Sequence, residues 1–83
     1  MKVLYFAWVR ERVGKQSETV EPPDHVATVS DLVDWLKGRG EEYALAFEDT
    51  AAVRAAVDQS HQPFEASVKG AHEVAFFPPV TGG

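Results

Sequence analysis

The side chains that most often carry catalysis or bind metals are scattered along this sequence. No cysteine is present, which excludes a thiolate metal site, a cysteine nucleophile and a disulfide framework. No two histidines have the i, i+4 spacing of a helical zinc pair, and no serine lies in a nucleophile elbow. We therefore expect no bound metal or cofactor and no self-contained active site, and we leave open whether the chain belongs to an enzyme complex. The side chains concerned are His25, His61, His72, Ser17, Ser30, Ser60 and Ser67.

The strongest chemical signal is the C-terminal segment Pro78-Pro79-Val80-Thr81-Gly82-Gly83. The two prolines stop a preceding strand, because proline donates no hydrogen bond to a sheet. Six extended residues reach roughly 20 Å, enough to enter a pocket of another protein. Gly82 and Gly83 have no side chain, so the backbone can pass a constriction that a Cβ atom would block. We therefore divide the chain into a folded domain, residues 1–77, and an extended C-terminal tail, residues 78–83.

Length and charge restrict the class of protein and the kinds of partner that this tail can have. A chain of 83 residues and 9.1 kDa holds one domain, and 45% hydrophobic residues are typical of a globular protein. Eight basic and 13 acidic residues give a net charge of -5, which disfavours nucleic acid as a partner and favours a protein with a basic patch. No run approaches the ~18–20 apolar residues of a membrane span. The absence of cysteine fits a cytoplasmic protein, and we expect that location.

The elements that position the tail follow from hydrophobic periodicity. β-Branched and aromatic residues predict strands at Val3–Val9 and Glu73–Phe77, and alternation predicts one at Ser17–Glu21. The predicted strands Val3–Val9 and Ser17–Glu21 form the expected N-terminal hairpin. Thr28 is the expected N-cap of a helix, and Asp31 completes a weak capping box three residues later. The apolar residues of this helix recur at helical spacing and are Val29, Leu32, Val33 and Leu36.

The middle of the chain is less clearly specified. Glu41–Phe47 predicts a second, short helix with Leu45 and Phe47 packed inside. In Thr50–Asp58 the alanines favour helix by propensity, whereas the period-2 placement of the apolar residues permits a strand. The overall order of strands and helices predicts the α+β class with a mixed sheet.

The two apolar strands also predict an exposed surface. Both carry large apolar groups on both faces, and a small sheet with helices on one side leaves its other face open to water. Leu4, Phe6, Trp8 and Phe77 then form an apolar patch of the kind that marks a partner surface. The alternative is that the loops of the domain cover both faces.

Three stretches of the sequence carry a resemblance that spans essentially the whole chain. The chain resembles the small subunits of molybdopterin synthase, which are ubiquitin-like sulfur carriers. The resemblance implies a β-grasp fold, a mixed sheet wrapped on a helix, with a strand near Val53–Gln59. The final stretch is the most specific, since Gly-Gly alone also occurs in thiamin-pathway carriers and ubiquitin-like modifiers. The stretches are residues 2–7 with 9–11 (KVLYFA and VRE), 43–49 (YALAFED) and 73–83 (EVAFFPPVTGG).

The resemblance also implies a chemistry at Gly83. An E1-like adenylating partner uses ATP to convert the Gly83 carboxylate into an acyl-adenylate, and a sulfur donor protein then converts it into a thiocarboxylate. The tail enters the large subunit of molybdopterin synthase, where the sulfur attacks the cyclic pterin precursor Z to build the molybdopterin dithiolene. Two small and two large subunits form the heterotetramer. In this scheme the carrier is the sulfur-donating subunit of a sulfurtransferase complex and has no active site alone.

Individual roles follow the family pattern position by position. Val80 and Thr81 would line the entry channel, and Gly82 would give the slim approach to the modified residue Gly83. Phe6 and Phe77 match positions on the hydrophobic docking face, and Arg10 matches one near the activating-enzyme contact. Trp8 departs from the smaller polar residue that is usual there. The alternatives are a thiamin-pathway-type carrier and a ubiquitin-like modifier or interaction module.

Overall fold

The computed structural model describes residues 1–79, and these residues form one mixed five-stranded sheet with three α-helices. A single 3₁₀ turn, Thr50–Ala52, precedes the third strand. The predicted α+β class with a mixed sheet packed on helices is confirmed. In chain order the elements are β1 (Lys2–Tyr5), α1 (Ala7–Val13), β2 (Ser17–Thr19), α2 (Val29–Lys37), α3 (Glu41–Ala46), β3 (Arg54–Val57), β4 (Ser60–Gln62) and β5 (Glu73–Phe77).

The last strand lies at the centre of the sheet. The strand order is β2-β1-β5-β3-β4, with β5 parallel to β1 and antiparallel to β3. Val3 pairs with Val74 and Tyr5 is level with Phe76, so these four side chains share one face. All four are fully buried, and each buried large apolar side chain contributes about 1.5–3 kcal/mol.

Helix α2 supplies much of the core that covers this inner face. Its apolar residues Val29, Leu32, Val33 and Leu36 are all buried and belong to the same cluster as Val3 and Phe76. The predicted capping box is confirmed. The Thr28 hydroxyl accepts from the Asp31 N–H at 3.1 Å, and the Asp31 carboxylate accepts from the Thr28 N–H at 3.2 Å. These bonds satisfy N–H groups that have no partner within the helix.

The predicted strand Val3–Val9 is wrong beyond Tyr5. The chain leaves the sheet at Phe6, which caps α1 with extended backbone, and Val9 and Val13 then bury one stripe of the new helix. Gly14 ends α1 in the left-handed conformation, with φ of 86°. The i, i+4 valines and the glycine were the sequence signals of this helix. Tertiary burial of the valines therefore outweighs the strand propensity of the run.

Other local predictions were partly correct. β2 and β1 are antiparallel as expected, but α1 separates them, so they are not a tight hairpin. β3 and β5 are confirmed, and β4 was not predicted. Phe47 is fully buried as expected, whereas Leu45 is 50% exposed, which makes the expectation of an inward Leu45 wrong.

Asp58 and Gln59 join β3 to β4 in a two-residue turn. Both have positive φ, of 48° and 70°. Positive φ at both central residues characterises the type I′ turn, which favours the twist of paired strands.

Within residues 1–79, no helix has both the length and the apolar character that crossing a membrane requires.

Candidate functional site

The structure describes all the predicted surface residues but only the first two residues of the predicted tail. Val80, Thr81, Gly82 and Gly83 lie outside the described residues. Pro78 and Pro79, which lead to them, are half-buried and directly follow β5. Because β5 is hydrogen-bonded on both sides, the point where the chain leaves the sheet is fixed by two neighbouring strands.

The outer face of the sheet lies opposite the helix-covered core, and Phe77, the last residue of β5, is on this outer face. Strand register places His61, Ala56, Ala75 and Leu4 in one row across β4, β3, β5 and β1. The two alanines are buried, at 8% and 7% exposure, although neither belongs to the core cluster. Their larger neighbours therefore shield them, and the row forms an apolar strip between His61 and Leu4.

Phe77 and Phe6 extend the strip towards the exit of the chain. Phe77 pairs with Arg54 of β3 and is half-buried, and its ring centroid lies 5.1 Å from that of His61. Phe6 follows β1, where its N–H donates to the Phe76 carbonyl at 3.0 Å, and its side chain is 45% exposed. We call Leu4, Phe6, His61 and Phe77, with the two alanines between them, the outer apolar face.

Trp8 is not part of this face, contrary to the sequence prediction. It lies on α1 and packs partly buried against the core. The Arg12 guanidinium lies 4.7 Å from the Trp8 ring centroid and contacts the Leu45 carbonyl of α3 at 3.5 Å. Trp8 thus fastens α1 to the domain, and three of the four predicted patch residues remain exposed or half-exposed together.

Arg10 is exposed on α1, one turn after Phe6. Its backbone N–H donates to the Phe6 carbonyl at 3.3 Å, which ties the two predicted contact residues to one local structure. A protein that covers Phe6 would have Arg10 at its edge. Phe6 and Arg10 are therefore neighbours on the surface of the domain.

A polar cluster on the inner side was missed by the sequence analysis. Glu18 of β2 accepts hydrogen bonds from the hydroxyls of Tyr5 at 2.7 Å and Tyr43 at 2.6 Å. Arg39 lies 3.1 Å and Lys15 3.5 Å from the same carboxylate. An isolated glutamate in a short edge strand gives no sequence signal for such a cluster, because its partners come from four separate segments.

The charge state of this cluster follows from its contacts. Partial burial opposes ionisation of Glu18, but the hydrogen bonds from Tyr43 and Tyr5 and the positive charge of Arg39 outweigh it. The pKa of the Glu18 carboxyl therefore lies below its usual range. Burial, reinforced by the hydrogen bond to Glu18, raises the pKa of Tyr5 well above its usual value. The cluster is an ionised structural link and has no free group for catalysis.

Other candidate sites in the described part of the chain are weak. Residues 1–79 contain no group of three or more acidic or histidine side chains placed to hold a metal ion. An open cavity of about 290 Å³ lies beside Asp58, Gln59, His72 and Glu73. The Asp58 carboxylate there already accepts the backbone N–H groups of His72 and Glu73, at 2.9 and 3.0 Å. The outer apolar face, with the strand that leaves it, is therefore the best candidate for function.

Comparison with known proteins gives the class and then named relatives. The family model described as the ThiS family matches residues 3–83, and the chain belongs to this family. Two "Molybdopterin synthase sulfur carrier subunit" proteins match the whole chain and 99% of their own length. The protein from Haemophilus influenzae is 40% identical, and that from Escherichia coli K12 is 42% identical. The resemblance stated from the sequence is thus confirmed.

Solved structures confirm the ubiquitin-like β-grasp fold. A Pyrococcus furiosus structure named for subunit 1 of molybdopterin converting factor superposes with a TM-score of 0.75 and 32% identity, covering 95% of each chain. SAMP1 from Haloferax volcanii superposes with a TM-score of 0.73 and 26% identity, covering 100% of this chain and 98% of its own. A second structure of the Haloferax protein bears the name small archaeal modifier protein 1.

Proposed function

We propose that this protein is the sulfur carrier subunit of a molybdopterin synthase and that Gly83 carries the sulfur. The observation that supports this most directly is full-length similarity to two named sulfur carrier subunits, in a chain whose last residues are Gly82-Gly83. The fold adds a physical reason. The strand that precedes these residues is held at the centre of the sheet, beside an exposed apolar face.

The proposed activation makes the Gly83 carboxylate able to react. A carboxylate is an anion near pH 7 and has no good leaving group, so it resists nucleophiles. In the partner adenylating enzyme, a carboxylate oxygen attacks the α-phosphate of ATP, which forms an acyl-adenylate and releases pyrophosphate. Persulfide sulfur on a donor protein then attacks the carbonyl carbon and expels AMP, which gives an acyl disulfide. A thiol of the donor cleaves the S–S bond, which leaves the thiocarboxylate on Gly83 and a disulfide on the donor. The product is a thiocarboxylate, which needs no cysteine in this chain.

The proposed transfer takes place in the large subunit of the synthase. The thiocarboxylate sulfur attacks a carbon of precursor Z and displaces its oxygen substituent, which gives a thioester between the carrier and the pterin. Water hydrolyses this thioester, so the sulfur stays on the pterin and Gly83 returns to the carboxylate form. A dithiolene holds two sulfur atoms, so two carriers with a Gly83 thiocarboxylate are used for each pterin. In this proposal the acid–base and phosphate-binding groups belong to the large subunit.

The outer apolar face is the proposed docking surface for the large subunit. Phe77 is six positions before Gly83, so a partner that encloses residues 80–83 lies against the surface around Phe77. Phe6 and Leu4 widen this surface, and Arg10 borders it on the side where we propose the activating enzyme makes contact. Burial of the exposed part of Phe6 would release water from apolar surface, which favours association. We propose a cytoplasmic location for these reactions.

Intact-protein mass spectrometry tests the central step. After incubation with ATP, the activating enzyme and a sulfur donor, replacement of one oxygen by sulfur at Gly83 should raise the mass by about 16 Da. A known carrier thiolated in parallel is the positive control, and omission of ATP is the negative control. Failure to gain this mass while the known carrier is converted would exclude the proposed function.

A second candidate function is protein modification. It is favoured by the structural similarity to the Haloferax protein named small archaeal modifier protein 1. Isopeptide adducts between Gly83 and lysines of other proteins, identified by peptide mass spectrometry, would support it. The family description also leaves a thiamin-pathway carrier as an alternative. Reconstitution with the synthase large subunit and precursor Z separates that role from the proposed one.

A further inference from the structure

His61 lies within an apolar surface although its side chain is titratable. β4 pairs with β3 so that His61 is opposite Ala56, whose side chain shares the outer face with Ala75 and Leu4. The imidazole lies against the Phe77 ring, with centroids 5.1 Å apart and planes tilted by 47°. Phe77 is also the last residue of β5. His61 is therefore placed directly beside the point where the chain leaves the sheet.

The charged groups around His61 do not pair with it. Two charged residues share the outer face with His61. Arg54 of β3 is two residues from Ala56, level with the end of β5, and Glu73 is two residues from Ala75, at the start of β5. Asp58 lies in the turn that precedes β4. Its carboxylate already accepts hydrogen bonds from the backbone N–H groups of His72 and Glu73. Within residues 1–79, the His61 imidazole makes no hydrogen bond or ion pair, and its side chain is exposed.

We propose that His61 is a specificity-determining contact for the synthase large subunit and that the complex forms with this imidazole uncharged. The inference rests on the proposed function, because the large subunit is the occupant of the outer apolar face. The partner surface that fits is apolar opposite Leu4, Phe6 and Phe77 and has no carboxylate opposite His61. A docked surface of this kind removes water from the imidazole without supplying an ion pair.

Removal of water decides the preferred charge state. Removing water from a charged group without supplying a partner costs free energy, so the group loses its charge instead. Imidazole changes charge between pH 5 and 8, so this cost falls within a range that cells and binding experiments can reach. If only the neutral form binds, binding weakens as the pH falls from 8 to 5.5.

Calorimetric titration of the full-length carrier into the large subunit tests the proposal. The Kd of the wild-type carrier should rise about tenfold between pH 8 and pH 5.5, and binding near pH 6 should release a proton. Proton release is detected as a dependence of the binding enthalpy on the ionisation enthalpy of the buffer. In the His61→Leu and His61→Gln variants, both the additional pH dependence and the released proton should be lost. His61→Gln keeps a polar side chain of similar size, so it guards against a loss caused by altered packing.

The controls separate this inference from the proposed function. His25→Leu makes the same replacement at an exposed position outside the outer apolar face, and it should keep the wild-type pH profile. Binding that has the same pH profile in wild type and in both His61 variants would overturn the role of His61 and leave the proposed function intact. Absence of binding at every pH, with the carrier folded, would overturn both.

Discussion

Glu18 joins several parts of the chain through a single carboxylate. It lies on the edge strand β2, and its side chain is 12% exposed. The tyrosine hydroxyls that donate to it come from β1 and α3, and Arg39 comes from the segment between α2 and α3. Hydrogen bonds to a charged group contribute about 1.5–3 kcal/mol each, more than bonds between neutral groups. The cluster therefore fastens a strand of only three residues that has one unpaired edge.

The Glu18→Gln substitution should lower stability at neutral pH and have less effect in acid. The expected loss at pH 7 is about 1–2 kcal/mol, since glutamine still accepts hydrogen bonds but loses the charge. The pKa of Glu18 is lowered by folding, so its contribution is complete above the ordinary glutamate value and declines as the pH falls through the lowered value. Urea unfolding between pH 3 and pH 8 measures the difference. Glu48→Gln, at an exposed carboxylate, is the matched control and should change stability by less than about 0.5 kcal/mol. A wild-type advantage of equal size at pH 3 and pH 7 would contradict the assignment.

Individual elements differ in how far the sequence determined them. The capping box of α2 and its apolar spacing are local signals, so Val29–Lys37 could be predicted with its N-cap. The end of β1 at Tyr5 could not, because Val3–Val9 has strand propensity throughout and only packing of Val9 and Val13 in the core selects helix. β4 has three exposed residues and no apolar alternation, so its pairing with β3 depends on the Asp58-Gln59 turn. Local sequence patterns were sufficient to predict an element where no tertiary contact favoured a different secondary structure.

The outer apolar face combines residues of β1, β3, β4 and β5 with the N-cap of α1, and a charge placed there should weaken docking. Phe6→Asp is expected to raise the Kd for the large subunit at least thirtyfold, or about 2 kcal/mol, if Phe6 is a hot spot. Phe6 is 45% exposed, so this substitution should leave the fold intact. Surface plasmon resonance measures the affinity. The matched control is Leu45→Asp, at a 50% exposed leucine of α3 outside this face, for which we expect unchanged binding. Equal losses for both variants would argue against docking on the outer face.

In the proposed function, the described sheet and core and the C-terminal residue Gly83 have different roles. The sheet hydrogen bonds and the core that hold the domain together come from residues 1–77, and the proposed reactive group is at residue 83. The α+β class and the family could be predicted from the sequence, because composition and the EVAFFPPVTGG stretch are properties of the chain itself. The outer apolar face could be predicted only in part, since exposure depends on which elements cover each strand.

Deletion of Gly83 should separate these two parts. Sulfur transfer to precursor Z in the reconstituted synthase should fall to background, because the proposed thiocarboxylate can no longer form at that residue. The thermal unfolding midpoint should stay within the error of the measurement, since the deleted residue supplies none of the described core. Product analysis by fluorescence of the oxidised pterin and a thermal melt of the same sample provide both readouts. Retained transfer activity, or a large drop in the midpoint, would contradict this division.

The central position of β5 has a consequence for the synthesis of the protein. Until β5 leaves the ribosome, a nascent chain has only two separate antiparallel pairs, β1 with β2 and β3 with β4, and no strand joins them. The parallel pairing of β1 with β5 closes a loop over most of the chain, which is a slow kind of contact to form. The sheet therefore completes only after Phe77 has been synthesised. An incomplete translation product that lacks β5 cannot form one continuous sheet and lacks Phe77 of the proposed docking surface.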